Sequence, residues 1–227
     1  MAEGERRITC LAVRLAVGLA WDERPSGGGN VASDTRQRMI EAAASSLRRR
    51  GLTATSFTDV LTASGAARGA IYHHFPGGKD ELAQDAVAWT GRRVRDEFAA
   101  LDTGDVDSVL RGFLDLIRPI VAQAAGGASC AVAAVAMETT PSQAGLTAAA
   151  AHALQSWVDV LAGRLRQAGL AFGDARALAQ LMTAVLEGSL VVARATGDTT
   201  AFEDSARMLL LAGRAYGETR EAGTHLD

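Results

Sequence analysis

Residues Phe57 to Leu82 read FTDVLTASGAARGAIYHHFPGGKDEL, two short helical stretches set against a single glycine-bearing turn. Ser56 and Asp59 have the spacing of a capping box ahead of the first stretch, and the pattern stops at Ser64-Gly65. Gly65 supplies a turn conformation that a β-carbon would penalise. The second stretch runs from about Arg68 to His74, where Pro76-Gly77-Gly78 breaks it. Val60, Leu61 and Ile71 face inward in this reading and lock the pair against Ile40 and Leu47 of a preceding helix. Two short helices joined in this way form a helix-turn-helix, whose second member fits the major groove of DNA.

The rest of the chain repeats one theme, helices separated by short breaks. The first runs from about Asp34 to Arg50, capped by Ser33 or Asp34, with Ile40, Ala43, Ala44 and Leu47 on one face. Gly51 ends it as a left-handed C-terminal residue. Lys79 begins a long helix to about Ala100, and further helices are expected over 105–124, 129–138, 143–168, 174–195 and 200–216. Ala and Leu dominate and only four prolines occur, so helices are the favoured local structure. The fold class is therefore all-α, a head of three short helices followed by a bundle of longer ones, with the boundary near residue 80. Residues 33–80 form the head, 81–217 the bundle and 218–227 a tail.

Residues 1–32 are read as a disordered or mis-assigned N-terminal extension. Arg6 and Arg7 precede an apolar stretch that resembles a signal peptide, but Arg14 interrupts it and no cleavage pattern follows. No other segment is a transmembrane candidate, and no membrane partner is expected. Cys10 and Cys130 stand far apart, which argues against a disulfide framework or a zinc site and suits a reducing cytoplasm. Cys130 is read as a small packed residue rather than a redox sensor, with nothing nearby to lower its pKa. The overall charge is −3, yet residues 33–82 carry seven basic and five acidic side chains against twelve and seventeen in 83–227. A mildly basic head on an acidic body fits a DNA reader of low total charge.

The run Gly69-Ala70-Ile71-Tyr72-His73-His74-Phe75, with Lys79 four residues on and a long helix after it, resembles the N-terminal domain of the TetR family of transcriptional regulators. Its wording is especially similar to the LmrA/YxaF-like branch. The resemblance implies an N-terminal DNA-binding domain and a C-terminal domain that binds an effector and dimerises. Arg68, opening the recognition helix, has the geometry to reach a guanine edge with both guanidinium arms. Gly69 and Ala70 let the helix sit close in the groove, Ala70 can touch a thymine methyl, and His73 shares their face. Tyr72, His74 and Thr58 resemble the family's phosphate-contacting positions, which hold register rather than read sequence. Lys79 suits a phosphate through its charge and the free N–H groups of its helix start. Where the family often has Ser or Thr, this chain has Ala67, which cannot cap, and Ala70 replaces a common Thr or Ser.

In the C-terminal part, Trp89, Phe113, Met137, Trp157, Leu161 and Met182 are candidates for an apolar effector pocket, with ordinary core as the alternative for each. Leu181, Val185, Gly188, Val192, Met208 and Leu211 are candidates for a dimer interface built from the last two helices, with Leu178 and Ala212 beside them. His73 and His74 are adjacent and diverge on a helix, and His152 and His225 offer no ligand spacing, so no metal or other cofactor is expected. Arg48-Arg49-Arg50 reads as a solvated helix end, and Phe75 as core. No catalytic triad or phosphate loop is present, so the chain is not expected to be an enzyme. The expected function is a repressor that binds a palindromic double-stranded operator as a homodimer and is released by a small apolar or aromatic effector. An activator of the same fold, or a helical adaptor that binds no DNA, remains open at this point.

Overall fold

The computed structural model describes residues 31–223. The expectation of an N-terminal extension, with Cys10, and part of the expected tail, with His225, lie outside the described residues. Within them the chain is helical, with no strand. The helices are α1 (Val31–Ala54), α2 (Phe57–Ser64), α3 (Ala70–His74), α4 (Gly78–Ala99), α5 (Val106–Ala125), α6 (Ala131–Glu138), α7 (Ala144–Gln167), α8 (Phe172–Thr196) and α9 (Thr200–Gly223). A short 3-10 turn over Pro141–Gln143 leads into α7, closed by a Thr140–Gln143 capping box. The chain forms two compact units, one from 31–93 with Ser129–Leu154, the other from Val94–Ala128 with 155–223.

The first unit holds α1, α2, α3, most of α4, α6 and the start of α7. Its core is the face of α1 expected from spacing: Met39, Ile40, Ala43, Ala44 and Leu47 are all buried. Val60, Ile71 and Phe75 close over them at 0–1 % exposure. Leu61 does not join them; it is only half-buried, because a residue next to Val60 points about 100° away round the helix. Gly51 interrupts α1 at φ 80, ψ 178. That is not the left-handed helical cap expected from sequence but an extended, positive-φ conformation that only glycine adopts readily. The chain leaves it through Leu52, which is buried, and reaches Ser56, whose hydroxyl accepts the Asp59 N–H at 3.2 Å and starts α2.

The three arginines that precede Gly51 are not alike. Arg49 bonds Ser45 one turn back at 2.7 Å and remains exposed. Arg50 pairs with Asp59 of α2 at 2.9 Å. Arg48 departs from the expected solvated end: its Nε donates to the Ser129 carbonyl at 3.3 Å, while the Ser129 N–H and hydroxyl both donate to the Arg48 carbonyl at 2.8 Å. Burial lowers the Arg48 pKa, with a counteracting contribution from Cys130 close by. Cys130 is the N-cap of α6, its Sγ accepting the Ala133 N–H at 3.5 Å. An arginine therefore stands near a thiol for which sequence suggested no charged neighbour.

The second unit is built on α5, α8 and α9, with the end of α4 and most of α7. An aromatic centre forms where Phe98 meets Phe113 at 5.5 Å and Trp157 at 6.3 Å between ring centroids. Asp105 caps α5 by accepting the Ser108 N–H at 2.7 Å. Pro119 lies inside α5, and the helix continues through it on the strength of an apolar face that includes Val109, Phe113, Leu116, Ile117 and Val121. By length and composition alone α8 is long and apolar enough to cross a membrane. Its Leu178, Met182, Leu186 and Leu190 are buried in this unit, and core packing accounts for that side of its apolarity.

Candidate DNA-binding surface

The surface is prepared by what lies beneath it. Val60, Ile71 and Phe75 are anchored in the core, so the residues between them are forced outward. Tyr72 is 68 % exposed, and Arg68, Gly69 and His73 are exposed beside it, with Ala70 and His74 half-buried. Arg36 supports this edge from α1, its guanidinium 4.9 Å from the Phe75 ring centre and paired with Asp85 of α4.

Regular helix begins at Ala70 rather than Arg68, which places Arg68 and Gly69 in the turn leading into it. The Ala70 N–H donates to the Ala67 carbonyl at 2.9 Å, and no side chain caps the helix. The N-cap is Gly69 rather than the expected Ala67, and glycine has no side chain to supply an acceptor. Gly65 closes α2 at φ 67, ψ 18, the left-handed conformation that the turn requires. The His73 and His74 rings lie edge to face with centroids 5.1 Å apart, nearer than helical divergence suggests. Among the described residues no group of three His, Cys, Asp or Glu side chains is placed to hold a metal.

Thr58 is exposed in the first turn of α2. Its neighbour Phe57 meets the Tyr72 ring edge-on at 5.8 Å, which brings the start of α2 and the middle of α3 to one surface. Lys79, in the first turn of α4, donates from Nζ to the Thr53 carbonyl at 3.1 Å. Sequence reasoning missed two participants here. Phe57 was readable as the partner of an aromatic on the second helix. Glu138 was not, because it comes from 85 residues away to accept the Thr53 N–H at 2.8 Å.

The six effector-pocket candidates fall into different surroundings. Phe113, Trp157, Leu161 and Met182 are fully buried in the second unit, the first two meeting through Phe98. Trp89 belongs to the first unit, half-buried with the Arg93 guanidinium 5.1 Å over its ring, and Met137 is 71 % exposed there. The interface candidates lie on outer faces of α8 and α9: Leu181, Val192, Met208 and Leu211 are exposed, Gly188 likewise, and Val185 half-buried. Val191 and Tyr216 are further exposed apolar side chains on the same two helices. Leu178 is core, and Ala212 is half-buried.

Two family models match the chain. One, for bacterial regulatory proteins of the tetR family, covers residues 39–86, and the other, for the C-terminal domain of LmrA/YxaF-like transcriptional regulators, covers 108–208. An uncharacterised HTH-type transcriptional regulator of Mycobacterium tuberculosis is 36 % identical over 170 residues, 73 % of this chain and 87 % of its own length. The HTH-type transcriptional regulator LmrA of Bacillus subtilis is 26 % identical over 169 residues, 74 % of this chain and 90 % of its own. Among solved structures, a TetR transcriptional regulator from Legionella pneumophila superposes with a TM-score of 0.68 at 21 % identity, over 81 % of this chain and 97 % of that one. A cysteine mutant of the regulator CifR, solved with a 26-base-pair operator duplex, superposes with a TM-score of 0.59 at 23 % identity, over 85 % and 100 %.

Proposed function

The chain belongs to the TetR family of DNA-binding transcriptional regulators, and we propose that it is a repressor, binding a palindromic operator as a homodimer until a small apolar or aromatic molecule releases it. The observation that carries the operator-reading part is the outward face of α3 and the turn before it. Arg68 and Gly69, in the turn, and His73, on α3, stand exposed beside a buried Ile71–Phe75 frame, so the base-reading surface is backed by packed core. Arg68 reads a guanine edge, Gly69 and Ala70 allow close approach, and His73 reads a second base. Thr58, Tyr72 and His74 grip the backbone and fix register, while Lys79 is engaged on the Thr53 carbonyl.

Dimerisation follows from the exposed row on α8 and α9. Leu181, Gly188 and Val192 recur at helical spacing beside Met208 and Leu211, and two copies of such a face bury it against each other. One half-site per subunit then accounts for a palindromic operator. Effector binding is assigned to the C-terminal helices of the second unit, among Phe113, Trp157, Leu161 and Met182. Their apolar character is what favours an apolar or aromatic ligand. The protein acts in the cytoplasm, where such an operator is accessible.

A gel-shift of the full-length protein on the DNA upstream of its own gene, alongside Arg68→Ala and Tyr72→Phe, tests this reading. A salt-sensitive shift that survives competitor DNA and is lost in Arg68→Ala supports operator recognition by this face. A shift that Arg68→Ala leaves intact removes Arg68 from the reading surface.

A further inference from the structure

We infer that Glu138 and Lys79 act together as positioning residues for operator binding, holding the Thr53 backbone at its N–H and at its carbonyl and so fixing where α2 begins. The inference rests on the operator-binding reading above. The Thr53 N–H donates to Glu138 Oε2 at 2.8 Å, and the Thr53 carbonyl accepts from Lys79 Nζ at 3.1 Å. The two peptide groups that flank the Thr53 α-carbon are thus held one by an anion on its N–H and the other by a cation on its carbonyl. These charge-assisted bonds are stronger than neutral ones. The two side chains arrive from different helices, the end of α6 and the start of α4, so the Thr53 backbone is fixed in more than one direction.

What the Thr53 backbone carries is the entry into the helix-turn-helix. Three residues on, Ser56 caps α2 and receives the Asp59 N–H at 3.2 Å. Thr58 and Phe57 follow at once, and Phe57 meets the exposed Tyr72 ring at 5.8 Å. A shift of Thr53 moves the α2 start and, through that ring contact, Tyr72. Gly51 shows how close the approach is, because a β-carbon there would lie 3.0 Å from the Glu138 carboxyl carbon. Burial raises the Glu138 pKa, but hydrogen bonds from Thr53 and Leu52 and the nearby Lys79 charge outweigh it and hold the group below its ordinary value. The acceptor is therefore ionised throughout the neutral range.

Two simpler roles predict something different. If Glu138 were only a surface acid near DNA, removing its charge would relieve repulsion from phosphates and tighten binding. If Lys79 served only to neutralise a phosphate, removing it would flatten the salt dependence by about 0.9 in log–log slope per phosphate. Positioning predicts weaker binding in the first case and an unchanged slope in the second.

The test selects a duplex from a random pool with the full-length protein, then measures its affinity for wild type, Glu138→Ala, Glu138→Gln and Lys79→Met at several salt concentrations. Exchange of the Thr53 amide proton is measured in the free proteins. Glu138→Ala is expected to bind on the order of tenfold more weakly, and Glu138→Gln, which keeps an acceptor, within about threefold of wild type. Lys79→Met is expected to bind more weakly with its salt slope unchanged. Thr53 exchange is expected to be about tenfold faster in Glu138→Ala. Equal or tighter binding by Glu138→Ala, a Gln variant as weak as the Ala one, a flattened slope in Lys79→Met, or unchanged Thr53 exchange each overturns the inference. If Glu138→Ala does not fold, Glu138→Asp takes its place, since it withdraws the same acceptor by one methylene. Failure of wild type to enrich any duplex counts instead against operator binding itself, and the exchange measurement still decides whether the Thr53 N–H is held as described.

Discussion

The β-carbon that Gly51 lacks would run into the carboxylate of Glu138, which lies against the backbone there. Gly51 is also at φ 80, ψ 178, a conformation costing a side-chain-bearing residue about 1–3 kcal/mol by itself. The Glu138 carboxylate can swing aside only by giving up the Thr53 N–H, so Gly51→Ala should lose roughly 3 kcal/mol in a urea titration, the backbone cost plus that hydrogen bond. Gly65 is the control: its φ is 67, but nothing lies within 4 Å of an added β-carbon. Gly65→Ala should cost only about 1 kcal/mol. Equal losses would mean that backbone conformation alone sets the requirement at Gly51.

Arg48 and Ser129 join α1 to the start of α6 through donors and acceptors on both residues. Arg48→Ala removes a partly buried donor and leaves the Ser129 carbonyl without it, for an expected loss of about 2 kcal/mol. Arg49→Ala, one position on, removes an exposed side chain and should change stability by less than about 0.5 kcal/mol. Chemical denaturation of the two variants side by side decides whether the clamp or the shared positive charge matters.

Local rules made much of this molecule legible. The helix face of Ile40, Ala43, Ala44 and Leu47, the Ser56 cap and the Gly65 turn each depend on residues within one or two turns of each other, and each is where periodicity put it. The exposure of Arg68, Gly69, Tyr72 and His73 was legible for the same reason, as the positions around the anchored Ile71 and Phe75. What escaped was long-range. Nothing near Arg48 in sequence announces Ser129, and nothing near Thr53 announces Glu138, since both contacts depend on how α6 packs on α1. The pocket candidates show the limit of reading by residue type: Met137 has the character of a pocket residue, yet its position on α6 turns it outward.

Three carboxylates, Asp59, Asp105 and Glu138, have pKa values lowered in the folded protein. For Asp59 the largest cause is the Ser56 hydroxyl, and for Asp105 the Ser108 N–H that it caps. A lowered folded-state pKa means the unfolded chain binds more protons, so the stabilisation is complete above the unfolded value of about 3.9–4.3. It is lost as pH falls through the folded value. The urea midpoint should therefore be flat with respect to these groups near neutrality and drop steeply in the acid range. Asp105→Asn keeps a good N-cap and should match wild type at neutral pH while losing less on acidification. An acid profile identical to wild type would show that the Asp105 cap is not among the groups that titrate on unfolding.

The exposed row on α8 and α9 makes the assembly testable without any DNA. Leu211 is 53 % exposed and Met208 63 %, side chains that a solitary subunit would gain nothing by presenting to water. If two copies bury this face about a twofold axis, one substitution places two charges in the interface. Leu211→Arg should then weaken self-association by about a hundredfold or more, seen as a monomer in sedimentation equilibrium. Operator affinity should fall with it, because a single subunit reads only one half-site. Phe172 supplies the control. It is 68 % exposed but lies about 180° round α8 from Leu181, with the Arg166 guanidinium 5.4 Å over its ring. Phe172→Ser should leave the dimer intact. Dissociation by both variants would point to general destabilisation, and a dimer that survives Leu211→Arg would move the interface off this face altogether.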